Sequence, residues 1–445
     1  MARVLPQTFR VRQRFEAPMV ADVAGETDAR LARLGLDREV APGQRVAIAV
    51  GSRGIANLAT IVRAVVDHVR RLGGEPVIVP AMGSHGGATA EGQASVLAGF
   101  GVTDAAMGCP VRSCMETVVV ADVALGDEGE RSGEAAASFP VHVDRTAYEA
   151  DHIILVNRVK PHTRFVGPIE SGLMKMLLIG LGKAEGAAVY HRLIRRWSFE
   201  RIIHAATATV LERCPVLAGV AVVENARDQT ARIDALRPGQ FITAEPELLE
   251  LARRWMARLP MDEVDVLVID QIGKDISGTG MDTNVVGRKF DDHKATGDER
   301  PRVEVIALRG LSAATHGNAN GMGMAEFCRS DLFDQVDVEA TRLNAVTAQH
   351  ASAAMPPLDY PTDRDMLEMA LQAAVGDAWQ SARLLWIRDT LHLEELECSA
   401  AYLDEARRCD DLDVLTDPRP LPLDGAGNLP ASVAVVSNSP GKPGR

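Results

Sequence analysis

Short apolar runs alternate along the chain with longer stretches in which apolar residues recur every three or four positions. RVAIAV at 45–50 follows the turn signal Ala41-Pro42-Gly43 and reads as a strand. Helical spacing marks NLATIVRAVVDHVRR at 57–71, and Gly73-Gly74 stops it. PVIVP at 76–80 is the next strand. Strand, helix and strand with short links predict a parallel sheet with right-handed crossovers. The order recurs in HIILVNRV, a buried strand from His152, SFERIIHAATATVLER, a helix over 198–213, and VLAGVAVVE, a strand over 216–224.

The pattern changes between 235 and 262. ALRPGQF reads as a loop and PELLELARRWMARL as an amphipathic helix, after which VDVLVIDQIG from Val264 and VEVIALRGL at 303–311 begin a new set of strands. Helices rich in Leu, Ala and Glu are expected over 366–410. The predicted fold class is therefore α/β, with two α/β domains, mainly parallel sheets and an active site in the cleft between them. The domains are expected at 1–245 and 246–432, with a Pro/Gly/Ser-rich, disordered tail at 433–445.

Charge narrows the function. A net charge of −13 over 445 residues argues against a nucleic-acid partner, which needs a basic face. A small anionic ligand needs only a local basic pocket. The N-terminus has no apolar core of signal-peptide length, and apolar runs stop well short of a bilayer span, so a soluble, cytoplasmic protein with no membrane partner is expected. The six cysteines include no CxxC pair and read as buried or incidental thiols.

Several motifs fail. A P-loop would need glycine at Leu177 and Ser or Thr at Ala184. No GxGxxG opens a helix after a strand, and neither HExxH nor GxSxG occurs. Chemistry concentrates instead in 157–191, where Arg158, Lys160, His162, Arg164, Lys175, Lys183 and His191 gather just past a strand end. Ligands of α/β folds bind outside the carboxyl ends of strands.

His85, in AMGSHGG after PVIVP, has glycines on both sides and stands either at a ligand or in a surface turn. His162 follows Pro161 just past another strand. Two such histidines suit acid–base work on opposite faces of one carbon, unless His162 is a hydrogen-bonded structural residue. Lys175, among Met174, Met176, Leu177 and Leu178, is either a nucleophile or covalent anchor with a lowered pKa or a snorkelling lysine. His191 alone is a weak signal. Arg53, in AVGSRGIAN, fits a carboxylate or a solvated loop. The Lys274–Asp282 loop, GKDISGTGMD, and the loop from His316 are either polar walls of a ligand cleft or plain turns.

Taken together, Gly51-Ser52-Arg53, Gly83-Ser84-His85, Pro161-His162 through Lys175, and His191 sixteen residues on resemble the nickel-dependent lactate racemase family, enzymes of the nickel-pincer nucleotide. The resemblance covers residues 45–191 and weakens beyond about 230. It implies that Lys175 anchors the pincer covalently, that Gly83 and Ser84 also contact the cofactor, and that His191 is the protein ligand to nickel. His85 and His162 would be the alternating acid and base. Arg53 would hold the substrate carboxylate, with Lys274 and Lys289 as further substrate-binding residues. The implied activity is racemisation or epimerisation of a 2-hydroxy acid by hydride transfer, with cofactor-biosynthesis enzymes as partners and an oligomer possible. Val50-Gly51 replace the family's acidic residue, which bears on the cofactor nucleotide contacts. Glu170 sits in a longer segment and Gly172-Leu-Met replaces Gly-Gly, which together point away from lactate itself. A different hydride-transfer enzyme on this scaffold, or a non-catalytic binder of an anionic metabolite or the cofactor, are the alternatives.

Overall fold

The computed structural model describes residues 4–51, 54–125, 137–194 and 196–433. The chain divides into two compact units, Glu16–Met256 and a second made of Ala257–Arg445 together with Met1–Phe15. Strand β1 (Thr8–Gln13) explains the second unit's composition, because it pairs antiparallel with Glu395–Ser399 on one side and Leu412–Val414 on the other. The junction expected at 245/246 falls inside the helix Phe241–Trp255, which runs through Pro246. Proline removes one helical hydrogen bond. Burial of Phe241, Leu248, Leu249 and Ala252 on one face of that helix outweighs the loss.

In the first unit, β2 (Arg45–Val50) and β3 (Glu75–Pro80) are followed by a hairpin of β4 (Thr117–Leu125) and β5 (Ala137–Asp144) that the hydrophobic pattern did not announce. Then come β6 (His152–Arg158), β7 (Val216–Glu224) and β8 (Thr230–Leu236). The main sheet has the order β3-β2-β6-β7-β8, parallel except for β7–β8. Alternate residues enter two separate cores. Ala47, Ala49, Ile153 and Leu155 face one, and Val46, Ile48, Ile154 and Val156 face the other. Both faces are covered, which is why these strands read as continuous apolar runs. From β2 the chain moves outward to β3 and returns to β6 on the opposite side. That reversal opens a crevice at the carboxyl ends of β2 and β6.

The second unit continues with β9 (Glu263–Ile269), β10 (Arg302–Leu308), β11 (Phe327–Arg329), β12 (Leu358–Tyr360), β13 (Leu384–Ile387), β14 (Glu395–Ser399) and β15 (Leu412–Val414). Its sheet order is β12-β11-β10-β9-β13-β14-β1-β15. The pairings are parallel from β12 to β13 and antiparallel beyond. The helices expected over 366–410 are only partly present. Asp363–Val375 is helical, but β13 and β14 follow before the short helix Leu403–Arg408. The four residues Leu384–Ile387 are wholly buried, as a strand with neighbours on both sides requires. No helix among the described residues is long and apolar enough to cross a membrane.

Strand β1 carries Phe9 and Val11, both fully buried, into the second unit. Phe9→Ala is expected to destabilise that unit by about 3–5 kcal/mol. Hydrogen exchange followed by mass spectrometry should show lost protection in 395–399 and 412–414, with β2 and β6 unchanged.

Candidate functional site

Three loops leave the carboxyl ends of adjacent strands β3, β2 and β6. The first carries His85, the second Arg53 and the third His162. Ser52 and Arg53 lie outside the described residues. The flank of the Arg53 loop is held by Glu224, whose carboxylate accepts the Ala56 N–H at 2.6 Å and pairs with Arg158. Arg158 also donates to the Gly54 carbonyl at 3.1 Å.

The His85 loop rests on the segment that follows Lys175. Residues Leu173–Lys175 form one helical turn. It widens into a π-type turn, Met176–Gly180, where the Leu181 N–H reaches back to the Met176 carbonyl at 2.8 Å. Gly83 donates its N–H to the Gly180 carbonyl at 3.2 Å. Its φ is 60°, and an added Cβ would stand 3.2 Å from the Ile179 carbonyl oxygen. Only glycine allows this backbone-to-backbone approach without strain. Ala187, one turn before His191 on the helix Lys183–Leu193, is also against Gly83.

A buried network fixes that contact. Lys183 and Asp144 are both fully buried, with the ammonium 3.1 Å from the carboxylate. Lys183 Nζ also donates to the Pro80 carbonyl at 2.6 Å and to Gln93 Oε1 at 3.0 Å. Gln93 passes the constraint on, donating to the carbonyls of Gly83 at 2.8 Å and His85 at 3.4 Å. Lys183 thus serves the scaffold and Lys175 faces the site.

The His162 loop is shaped by its own ring. His162 Nδ1 accepts the N–H groups of Arg164 and Phe165, at 3.0 and 3.2 Å. A nitrogen accepting two hydrogen bonds carries no proton, so the neutral ring holds its proton on Nε2. The His162 N–H donates to Glu170 Oε2 at 2.7 Å, and Glu170 pairs through Oε1 with Arg253 at 2.7 Å.

Phe165 is the meeting point. His162 stacks on it at 3.9 Å, Phe199 stacks at 4.3 Å, and the Lys175 ammonium lies 5.1 Å from its centroid. The Lys175 contact is of cation–π type. Tyr190 meets Phe165 edge-on and lies 5.6 Å from the His191 ring. Burial, and then the nearby Lys175 charge, lower the His191 pKa. His191 is therefore a neutral imidazole at pH 7, able to act as a ligand or base. The Tyr190 hydroxyl is buried without a hydrogen-bond partner.

The structure thus brings His162 and Lys175 to one aromatic ring, Phe165, places His191 beside Tyr190 and within reach of the Lys175 charge, and docks the Gly83–His85 loop on the same helix as His191. Glu170, Lys183, Gln93, Asp144, Glu245 and Arg253 were not read as site-shaping residues. Their partners are backbone groups and distant side chains, which leave no mark on local spacing.

The second unit places Lys274 in the loop after β9, donating from Nζ to the Gly278 carbonyl at 2.6 Å. Lys289 is buried beyond the short helix Thr283–Val286. A cavity of about 490 Å³ opens at the carboxyl ends of this sheet, beside Gln271, Arg309, Arg329 and Arg388. Arg309 is bound to Asp270 and Asp363, and Arg329 to Asp363 and Asp331, so its floor is charge-balanced. Among the described residues no three His, Cys, Asp or Glu groups are grouped to hold a metal ion.

The His191 titration follows from these contacts. Its C–H resonances should titrate with a midpoint below the usual 6.5 of histidine. Lys175→Met should raise that midpoint by removing one of the two causes. Because the folded value is lowered, the unfolded chain takes up the proton first, so stability falls as pH drops below the usual 6.5 of histidine and the loss is complete below the lowered value. NMR titration of both proteins checks this.

Residues 51–244 match a family described as a domain of unknown function, DUF362. No curated protein matches the chain. Among solved structures it is similar to the lactate racemase apoprotein from Thermoanaerobacterium thermosaccharolyticum. The TM-score is 0.51 at 13% identity, over 86% of this chain and 98% of that one. At that identity the likeness is one of fold: a two-unit α/β architecture with mainly parallel sheets.

Proposed function

We propose that the protein is an isomerase that racemises or epimerises a 2-hydroxy acid other than lactate, using a nickel-pincer nucleotide anchored on Lys175. The placement of His162 and Lys175 on one ring, Phe165, with His191 close enough to feel the Lys175 charge, carries this reading. Fold likeness to a lactate racemase apoprotein supports it.

The donor set fits such a cofactor. An anchor must be a lysine with access to solvent, and Lys175 is partly exposed where Lys183 is fully buried in an ion pair. A single protein ligand to a metal held mainly by cofactor sulfur and carbon must be neutral, as burial makes His191. The orphaned Tyr190 hydroxyl leaves a polar atom beside these groups. When bound, the group would supply a hydride acceptor and a metal centre.

The chain's own residues handle protons and position. In this tautomer His162 presents Nε2–H as a donor to the substrate hydroxyl oxygen, and it takes the hydroxyl proton at Nε2 only once the ring leaves the Arg164 and Phe165 amides and carries its proton on Nδ1. His85, carried by the β3 loop, is the other acid–base group. Arg53 holds the substrate carboxylate. The aromatic plate of Phe165, Phe199 and Tyr190 excludes water from one side of Lys175.

The test is co-expression with nickel and cofactor-biosynthesis enzymes, followed by intact mass and peptide mapping. A nucleotide-sized adduct on Lys175 is expected, and it should vanish in Lys175→Ala. A panel of chiral 2-hydroxy acids should then show racemisation, slowed about 10²–10⁴-fold by His85→Ala or His162→Ala with the adduct retained. Unmodified Lys175 without bound nickel would sink the proposal.

A further inference from the structure

Glu245 lies on the helix Phe241–Trp255 and is almost completely buried. It aims its carboxyl at the start of the Lys175 turn. Oε2 accepts the Met174 N–H at 3.1 Å, and the Leu173 N–H also bonds to the carboxyl. Oε1 is buried with no partner. Gly172 makes room for this. Its φ is 151°, and an added Cβ would stand 2.5 Å from the Glu245 carboxyl carbon. A helical turn that starts on a glycine has no side-chain cap of its own, and none is present at Gly172. The first N–H groups of such a turn need an acceptor from elsewhere.

We propose that Glu245 is a positioning residue for Lys175, capping the turn that carries it and so fixing where the amine stands over Phe165. This rests on the reading of Lys175 as the anchor. Glu245 touches neither the amine nor any reacting atom. It acts through two backbone amides, the next one along the turn being that of Lys175 itself. The same helix holds the other half of the site, since Arg253 grips Glu170 and through it the His162 N–H. One helix therefore sets both the amine and the imidazole.

The cap is proton-linked. Burial raises the Glu245 pKa to about 8, against the opposing pull of the two amides. The titratable groups on the elements packed against it are Lys175 on the capped turn, Glu224 at the end of β7, and Glu247, Glu250, Arg253 and Arg254 on its own helix. Below pH 8 the neutral acid caps through one oxygen. Above it a buried carboxylate faces the positive end of the turn.

The experiment uses the full-length chain without cofactor. Lysines are acetylated with limiting acetic anhydride from pH 6.5 to 9.5, and the ratio of Lys175 to exposed Lys294 is read by peptide mapping. In the wild type this ratio should break near pH 8, changing about fivefold, the size expected for an altered helix cap. Glu245→Gln keeps an acceptor oxygen and should remove the break. Gly172→Ala pushes the carboxyl away and should displace the ratio at every pH. A wild-type ratio without a break, or a break retained in Glu245→Gln, overturns the proposal. If Glu245→Gln fails to fold, an unchanged profile in Gly172→Ala overturns it. A break without a cofactor adduct on wild-type Lys175 would instead remove the anchoring reading and leave the cap standing.

Discussion

One buried cation organises the first unit. Lys183 begins the helix that carries His191, with a φ of 53° that few non-glycine residues adopt. Its ammonium is satisfied by Asp144, Gln93 and the carbonyl that ends β3. Taking a charge out of water costs several kcal/mol, so the arrangement persists only because three acceptors converge. That convergence also makes it specific. An apolar side chain of the same volume would fill the space, yet it would not dictate where the His85 loop sits. Gln93 converts the ion pair into a fixed register by holding the carbonyls of Gly83 and His85.

The other half of the site is held by a second, separate device of the same kind. Helix Phe241–Trp255 presents a carboxyl at its start and a guanidinium near its end. Each engages backbone groups or a carboxylate next to the candidate chemistry. His162 stacks on Phe165, and the Lys175 ammonium stands over the same ring. Contacts to the main chain hold the segments that carry these groups.

The strands of the parallel sheets were legible because burial on both faces leaves an unbroken apolar run. β2, β6 and β7 have this form, and β9 and β10 take it in their second halves, after Asp265 and Glu304. Placement of β1 in the second unit was not legible, since pairing across nearly four hundred residues has no local signature. The hairpin β4–β5 was missed because its strands are only half-buried. Among candidate site residues, His162, Lys175 and His191 stand out in the sequence by type and strand-end position. Glu245 and Lys183 were not, because a buried charge inside an amphipathic helix reads like any solvated one. What distinguishes them is the partner they find in three dimensions.

The same point decides what the cations of 157–191 mean. Read as a string, they make a basic patch in a protein of charge −13. In the structure they divide by partner. Arg158 pairs with Glu224 and Lys183 with Asp144, so neither adds to the field an anion would feel. Burial lowers the pKa of His191, and the Lys175 charge lowers it further. A lysine that keeps a neighbouring imidazole neutral prepares that imidazole to donate a lone pair, to a proton or to a metal.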